Sequence, residues 1–484
     1  MRSGRIRHSG RPIIALETEY CMNPALGRLV FTIGDRLGRD PIIPVLQELQ
    51  RTEHLPEPEL RQLTWRRLSD LLGYASAHVP YYRRVLKGIP LADIKALDDL
   101  QALPILTKAD VQTHADELLP DGWRPRSNPY GTSGSTGQPL KFQIDTAARA
   151  HFLAAKLRGE SWYGVSFGDP VARVWSVPLL RYPRLREQFK DISLNRVRLS
   201  VFDMTDATMA AFIRRCQRFR PRLLYGYTSS VARLAHFVVQ NNLSGSLPSL
   251  RAVATTSETL FDYQREVIRK AFGVPVASEY GCTEVGVIAY QCPMGSFHIA
   301  SENVIVEILR DGRPVPPGET GTVVVTGLHN RSTPFIRYEV GDYGSLSPEP
   351  CPCGRTLPVM GPMLGRTVES LVMHDGRYLP AWIFDYAIRK VNAGGAAVNE
   401  FRVVQTAIDC FRVDVVPGRE YSNRAETSLR HELEHHLGKT VQIQIQVVGS
   451  LPRTSSGKLR YFVSELPNAT ASAKSLIDQP GERG

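Results

Sequence analysis

The 484-residue sequence has no apolar run long enough to cross a bilayer, and its charged first residues contain no apolar core of signal-peptide length. Its seven cysteines are an odd number and are unevenly spaced, which argues against a disulfide framework. It also lacks an aromatic RNA-binding motif and a basic recognition helix, although its formal net charge is +11. The excess basic residues are scattered, a pattern that usually serves solubility and could also favour an anionic ligand or an acidic protein partner, so nucleic acid is the poorer explanation. We therefore expect a cytoplasmic protein with no transmembrane segment and no nucleic-acid partner.

The length exceeds what one hydrophobic core usually serves, so two or three domains are expected. Residues 1–100 contain an amphipathic pattern typical of a helical N-terminal cap. Residues 101–365 begin with strands that alternate with helices, which predicts a mostly parallel sheet. Their last part has β-branched runs separated by Gly/Pro turns, which predicts antiparallel strands or a small barrel. Residues 366–466 have the pattern of a small α+β domain, and we expect residues 467–484 to be disordered.

Two segments more than three hundred residues apart suggest a nucleotide site. Tyr130–Pro139 reads YGTSGSTGQP, and its glycines and hydroxyls are suited to a loop whose backbone N–H groups hold phosphate. Leu451–Arg460 reads LPRTSSGKLR, in which Gly457 and Lys458 place a mobile ammonium after a tight turn. Each segment alone could be an ordinary surface loop. Together they suggest phosphates held in one domain and approached by a lysine from another.

These segments belong to five motifs that, in this order, resemble those of the adenylate-forming (acyl-CoA synthetase-like) superfamily. The other three are EYGCTE at Glu279–Glu284, IRYEVGD at Ile336–Asp342 and the hinge start at Gly365–Arg366. The additional stretches VPYYRRV and CPCGRTLP resemble the phenylacetate–CoA ligase group and its capsule-biosynthesis relatives. The resemblance implies a large α/β domain with a β-rich subdomain, followed by a small, mobile α+β C-terminal domain.

The resemblance also assigns roles to individual residues. It makes Lys458 the catalytic residue that stabilises the charge on the α-phosphate, with Thr283 at the same phosphate and Glu284 on Mg²⁺. The remaining residues would bind the nucleotide: Thr132, Ser133, Gly134, Ser135, Thr136 and Gly137 the phosphates, Tyr280, Gly281 and Glu258 the adenine region, and Asp342 and Arg366 the ribose or phosphate. Two positions depart from the family: Gln138 stands where a lysine is common, and Val368 stands where the hinge has aspartate.

Four residues in the β-rich part have side chains that bind metals. Cys292 and His298 flank one short loop, and Cys351 and Cys353 flank a proline. Three thiolates and an imidazole are suited to structural zinc, which fills all four positions with protein ligands. The Cys-x-Cys spacing is tighter than usual, so ordinary reduced thiols are the alternative.

The sequence thus predicts an enzyme that uses ATP and Mg²⁺ to convert a carboxylic acid into an acyl-adenylate, releasing pyrophosphate. CoA is the acyl acceptor implied by the resemblance. A ligase that forms an amide or ester with an amine, a sugar or a carrier protein is the alternative. A third hypothesis is a non-catalytic adenylate-binding protein, against which the retained Lys458, Glu284 and Asp342 argue. A homodimer is among the expected assemblies, and the identity of the acid is left open.

Overall fold

The computed structural model describes residues 22–37, 41–122, 128–131, 140–176, 190–363, 365–366, 370–374, 378–380, 382–392, 397–438, 440–454 and 457–466. The predicted disordered tail, 467–484, lies outside these residues. None of the described helices is long and apolar enough to cross a membrane.

The described α-helices are α1 Pro24–Leu37, α2 Ile42–Thr52, α3 Glu57–His78, α4 Pro80–Val85, α5 Lys108–Thr113, α6 Thr146–Ser161, α7 Asp206–Phe219, α8 Thr228–Gln240, α9 Asp262–Phe272, α10 Trp382–Asn392 and α11 Asn423–Leu437. Short 3₁₀ turns span Leu91–Asp93 and Leu97–Ala102. The first five helices correspond to the predicted helical segment and the residues that follow it. The amphipathic pattern continues from α3 into α4, but Val79 is extended (φ −107°, ψ 112°). It precedes Pro80, whose ring disfavours helical geometry in the residue before it, so the helix is interrupted there.

The described strands are β1 Asn128–Gly131, β2 Lys141–Ile144, β3 Val171–Trp175, β4 Arg196–Ser200, β5 Leu223–Tyr227, β6 Ala252–Thr256, β7 Val276–Cys282, β8 Gly286–Gln291, β9 Phe297–Ile299, β10 Val304–Arg310, β11 Arg313–Pro314, β12 Gly321–Gly327, β13 Tyr338–Gly344, β14 Val359–Met360, β15 Gly365–Arg366, β16 Ser370–Val372, β17 Tyr378–Pro380, β18 Val398–Ala407, β19 Cys410–Pro417, β20 Gln442–Val447 and β21 Phe462–Ser464.

The largest sheet has eight strands in the order β14-β9-β8-β7-β6-β5-β3-β4. The block from β4 to β7 is parallel, as the alternation of strands and helices predicted, and β8, β9 and β14 add to it antiparallel. Helix α7 begins after Thr205, whose hydroxyl accepts a hydrogen bond from Thr208 N. A residue that accepts from the third helical N–H must itself be extended, and Thr205 is (φ −81°, ψ 161°).

The β-rich part is an open antiparallel sheet in the order β11-β10-β12-β13-β15. Within the motif IRYEVGD, strand β13 begins only at Tyr338. Arg337 has φ +50°, a left-handed conformation that cannot continue a strand, and it pairs with Glu307 at 2.9 Å. Residues of α3, α4 and this sheet share one hydrophobic cluster. Within it, the hydroxyl of Tyr82 donates to Pro334 O at 2.8 Å.

The C-terminal part contains a four-stranded sheet, β20-β19-β18-β21, packed with α10 and α11. This arrangement confirms the predicted α+β domain. Its hydrophobic cluster includes Phe401 and Phe411, and also Tyr263 of α9, which belongs to the large domain. A second contact joins the two domains where Gln264 Nε2 donates to the hydroxyl of Tyr461 at 2.7 Å. The small domain is therefore docked on the end of the parallel sheet that carries α8 and α9.

Candidate active site

The candidate site lies where parallel strands β5, β6 and β7 end. In a parallel sheet the carboxyl ends of neighbouring strands lie at one edge, which is where such folds bind ligands. Tyr227 ends β5, Thr256 ends β6, and Tyr280 lies near the end of β7. Tyr227 and Thr256 are register partners, as are Thr256 and Glu279. Residues far apart in sequence are thus brought side by side at this edge.

The predicted adenine and ribose residues are in direct contact. The hydroxyl of Tyr280 donates to Asp342 Oδ2 at 2.9 Å, across 62 residues of sequence. Asp342 lies on β13, and its backbone is the register partner of Arg366 on β15. The structure therefore brings all three predicted residues together. Tyr280 and Asp342 meet through a side-chain hydrogen bond, and Asp342 and Arg366 meet as backbone partners on adjacent strands.

The motif after Tyr280 forms a tight turn between β7 and β8. A Cβ at Gly281 would lie 2.4 Å from Gly286 O, so only glycine allows the two strands to approach this closely. Thr283 is exposed, and Glu284 is buried, with its Oε1 accepting from the hydroxyl of Tyr338 at 3.1 Å. Burial, reinforced by Glu284, raises the pKa of Cys282 well above its usual value. This thiol is therefore held protonated, which does not fit a nucleophile.

The loop that carries Lys458 is held by its own hydrogen bonds. Thr454 N donates to Lys458 O at 2.9 Å, and Lys458 N donates to Thr454 Oγ1 at 3.0 Å. Gly457 has φ +87°, and a Cβ there would lie 2.3 Å from Val201 of the large domain. The glycine is thus required twice, by its conformation and by the closeness of the two domains. Lys458 Nζ lies 5.9 Å from the centre of the Tyr227 ring, at the end of β5.

Glu258 connects the lysine loop to the large domain. Its carboxylate accepts from Ser229 N at 2.7 Å, Ser229 Oγ at 3.1 Å and Leu459 N at 2.7 Å. Ser229 lies in the first turn of α8, so the carboxylate also stabilises the N-terminus of that helix. Burial of the carboxyl group raises the pKa of Glu258, and hydrogen bonds from Ser229 and Leu459 and the charge of Arg453 oppose that rise. In this arrangement Glu258 binds the residue next to Lys458.

Arg453 completes this contact, and sequence reasoning missed it. Its guanidinium donates to Ser229 Oγ at 2.5 Å and is paired with Glu400 of the small domain. The residue lies within the quoted motif PRTSSGKLR, so its position was a usable signal. Its partner Ser229 was not foreseeable, because it lies 224 residues away in an unremarkable helix start.

The predicted phosphate loop is not part of the described structure. Thr132, Ser133, Gly134, Ser135, Thr136, Gly137 and Gln138 lie outside the described residues, as do Val368 and Glu369 of the hinge. The backbone before the loop is described, since β1 pairs antiparallel with β2 and ends at Gly131.

The four predicted metal ligands converge. The ligand atoms of Cys292, His298, Cys351 and Cys353 all lie within 4.8 Å of one another. Cys292 Sγ is 3.7 Å from Cys351 Sγ, and Cys353 Sγ is 3.1 Å from His298 Nε2. Tetrahedral zinc with bonds of about 2.3 Å to sulfur would separate two sulfurs by about 3.8 Å. His298 Nδ1 lies 3.2 Å from Leu357 O, which fits donation to that carbonyl and leaves Nε2 free to bind a metal.

Comparison with known proteins gives two family matches. Residues 129–332 match the family described as AMP-binding enzyme, and residues 371–465 match the CapK C-terminal domain. Together with the fold and the gathered site residues, these matches confirm the predicted likeness: the chain has the architecture of an adenylate-forming enzyme.

The individual relatives indicate which group of adenylate-forming enzymes the chain resembles. The chain is 24% identical to protein CapK of Staphylococcus aureus over 84% of its own length and 90% of the relative's. It is 24% identical to phenylacetate–coenzyme A ligase of Thermus thermophilus, over 84% of this chain and 97% of that one. Among solved structures, 2-hydroxyisobutyryl-CoA ligase in the postadenylation state is similar, with a TM-score of 0.71, 21% identity and coverage of 89% of this chain and 94% of that one. The chain thus resembles the phenylacetate–CoA ligase group and its capsule-biosynthesis relatives, as predicted.

Proposed function

We propose that this protein activates a carboxylic acid with ATP, releases pyrophosphate, and transfers the acyl group from the resulting adenylate to CoA. The observation that carries the proposal is the docking of the lysine loop, in which Leu459 N binds Glu258 and Lys458 lies over Tyr227. That docking brings an ammonium group from the small domain to the strand ends where Tyr280 and Asp342 meet. The match to AMP-binding enzymes and the similarity to phenylacetate–CoA ligases support the same activity.

The residues would divide the work of adenylation as follows. Asp342 would accept hydrogen bonds from ribose, and Tyr280 would stack on adenine while fixing the Asp342 carboxylate through its hydroxyl. Lys458 would lie beside the α-phosphate, where negative charge grows as the substrate carboxylate attacks and pyrophosphate leaves. Since that charge develops in the transition state, the ammonium should raise kcat more than it improves binding.

Glu284 fits a role in holding Mg²⁺. It is the buried carboxylate of the turn after Tyr280, and the hydroxyl of Tyr338 fixes one of its oxygens. Mg²⁺ in phosphate sites is commonly bound by one or two carboxylates together with the phosphates, and it neutralises their charge.

The acceptor could alternatively be an amine. Two observations support this second candidate. The C-terminal part matches the CapK C-terminal domain, and the chain is 26% identical over 154 residues to indoleacetate–lysine synthetase of Pseudomonas savastanoi. CoA is preferred, since the phenylacetate–CoA ligases match over nearly their full length.

A pyrophosphate-release assay over a panel of carboxylic acids, with and without CoA, tests the activity. CoA-dependent turnover with formation of a thioester supports the proposal. Release that requires hydroxylamine or an amine, and is indifferent to CoA, would point to the amide-forming alternative. No release with any acid, by a folded protein that binds ATP, would leave only a non-catalytic adenylate-binding protein.

We also propose that Cys292, His298, Cys351 and Cys353 hold one structural zinc ion. The support is the convergence of their ligand atoms and the carbonyl that orients His298. Zinc would tie the loop after β8 to the segment before β14 and so stabilise the sheet edge. Protein purified without chelator should contain one equivalent of zinc, and Cys353→Ser should lose it together with thermal stability. Less than about a tenth of an equivalent in an active wild type would contradict the proposal, given how tightly such sites hold the metal.

A further inference from the structure

The side chain of Arg173 on β3 is a half-buried cation whose printed contacts among the described residues are with two aromatic rings and not with a carboxylate. Its Nε is inaccessible to solvent and has no hydrogen-bond partner, and the guanidinium forms no ion pair with any residue that the structure describes. Its described neighbours are the rings of Trp175 and Tyr225, whose centres lie 4.7 and 5.2 Å from the guanidinium carbon. These aromatic contacts offset part of the cost of burial but offer no acceptor to the N–H groups.

Three other arginines of this protein that are largely withdrawn from solvent have carboxylate partners. Arg158 pairs with Glu302 at 2.6 Å, Arg337 with Glu307 at 2.9 Å, and Arg198 with Asp191 at 2.6 Å. The comparison with Arg198 is direct, because it is the register partner of Arg173 on the neighbouring strand. A charge partly withdrawn from water without a counterion is less favourable than a paired one, so an anionic ligand would be stabilised there. Burial lowers the pKa of Arg173, and the nearby charge of Arg198 lowers it further.

Each carboxylate near Arg173 has a partner other than this arginine, although Oε2 of Glu279 has no hydrogen-bond partner. Glu160 is paired with Lys156 on α6, and Asp191 is bound by Arg198. Glu279 accepts from the hydroxyls of Tyr225 at 3.0 Å and Thr256 at 2.9 Å. The missing acceptor is therefore not supplied by these side chains.

An aromatic row connects Arg173 to the candidate active site. Lys458 Nζ lies 5.9 Å from the Tyr227 ring, the Tyr227 ring lies 4.2 Å from that of Trp175, and Trp175 lies beneath Arg173. The row lies along one face of the sheet, at the strand ends. It has a cation at each end and apolar walls between them, which fits an acid with one anionic group at either end.

We propose that the acid substrate carries a second oxyanion group, and that Arg173 binds it while the first carboxylate reacts beside Lys458. This inference rests on the proposed adenylation and names its substrate class, a dicarboxylic acid or an acid with a distal phosphate or sulfonate. Arg173 is the specificity residue, since its planar guanidinium can donate two parallel hydrogen bonds to such a group. Trp175 and Tyr227 form the wall along which the spacer of the acid lies.

Matched acids test the proposal. The panel compares glutarate, adipate, suberate and 4-carboxyphenylacetate with pentanoate, hexanoate, octanoate and 4-methylphenylacetate, and kcat/KM is measured from pyrophosphate release. Sulfonate and phosphate analogues of the best diacid identify the distal group. The wild type should prefer the best diacid over its monoacid analogue by at least about 10-fold, the effect of a hydrogen-bonded charge pair. Arg173→Gln should abolish that preference by lowering the rate with the diacid alone, and Arg173→Lys should keep part of it.

The charge-reversed variant Arg173→Glu gives a second arm, because it should shift the preference toward acids with a distal amine. Arg214→Gln is the matched control, since it removes the same charge from an exposed position on α7, which packs on the other face of the sheet. It should leave the diacid preference unchanged.

Three outcomes separate this inference from the proposed function. Equal or better activity with the monoacids, or an equal loss for both series in Arg173→Gln, overturns the inference and leaves adenylation standing. Quenching of Trp175 fluorescence by a diacid, absent in Trp175→Phe and in Arg173→Gln, but with no pyrophosphate release from any acid, keeps the binding site and refutes adenylation. Neither quenching nor release with any acid refutes both.

Discussion

Replacement of Glu258 by glutamine should separate the two half-reactions. The carboxylate uses both oxygens, since Oε2 accepts from Ser229 N and Oε1 from Leu459 N, each at 2.7 Å. Glutamine offers one carbonyl oxygen, so one of the two N–H groups loses its acceptor and faces an amide NH₂. The change removes no volume, so packing is preserved and the hydrogen bonds alone are tested.

The size of the expected rate loss depends on which hydrogen bonds of Glu258 connect the two domains. The bond from Leu459 N belongs to the docked arrangement of the small domain, and a hydrogen bond to a charged group contributes about 1.5–3 kcal/mol. Loss of that bond disfavours docking by about 10- to 150-fold. The bonds from Ser229 stay within the large domain, so their loss lowers stability by about 1 kcal/mol, as for a helix cap, whichever way the small domain lies. Adenylation should therefore slow by about 10- to 100-fold, whereas acyl transfer from supplied acyl-adenylate to CoA should change by less than about 3-fold.

The assay measures pyrophosphate exchange for the first half-reaction and thioester formation from synthetic acyl-adenylate for the second. Glu432→Gln is the control, because the printed partner of Glu432 is Lys390, which lies in the same small domain. It should leave both rates unchanged. An equal fall of both half-reactions in Glu258→Gln, or an unchanged exchange rate, would refute the role assigned to the Glu258–Leu459 contact.

The remaining predictions concern the other site residues and acid stability. Lys458→Ala should lower kcat for pyrophosphate release by at least 100-fold with little change in ATP affinity, and near-normal release would remove Lys458 from the mechanism. Asp342→Ala should weaken nucleotide binding with or without metal, while Glu284→Gln should raise the Mg²⁺ concentration needed for half-maximal rate; identical Mg²⁺ titrations would contradict these separate roles. Burial lowers the pKa of His151 from 6.5 to about 4 and that of its stacked neighbour His329 to about 2, so both are neutral in the folded protein. Because both histidines must be neutral in the folded protein, their contribution to the free energy of unfolding is fully present above pH 6.5. It is lost as the pH falls toward 4, by up to about 3 kcal/mol for His151. Urea unfolding at pH 7 and 4.5 should show this loss, and His151→Gln should reduce it.

Local sequence patterns predicted most of the helices and strands. The features that they did not predict depend on contacts between residues far apart in the sequence. The apolar run Leu223–Tyr227 is bounded by polar residues and forms a strand, in line with the predicted alternation of strands and helices. Metal-binding side chains are conspicuous by type, so Cys292 and Cys351 were found although 59 residues separate them. In contrast, Glu258 binds a backbone N–H 201 residues away. A backbone donor has no residue-type signature, so no sequence pattern could reveal that contact.

The junction between β5 and α8 explains why docking and substrate binding should be coupled. Tyr227 ends the strand, lies under Lys458 and contacts Trp175. Two residues later, Ser229 binds Glu258 and Arg453, which hold the lysine loop. A substrate that moves the Tyr227 ring therefore acts on the same short segment that fixes the small domain. Because one junction serves both contacts, an acid that fits the row from Arg173 to Lys458 would also favour the docked arrangement that adenylates it. The preference for the correct acid would then be expressed in kcat as well as in KM.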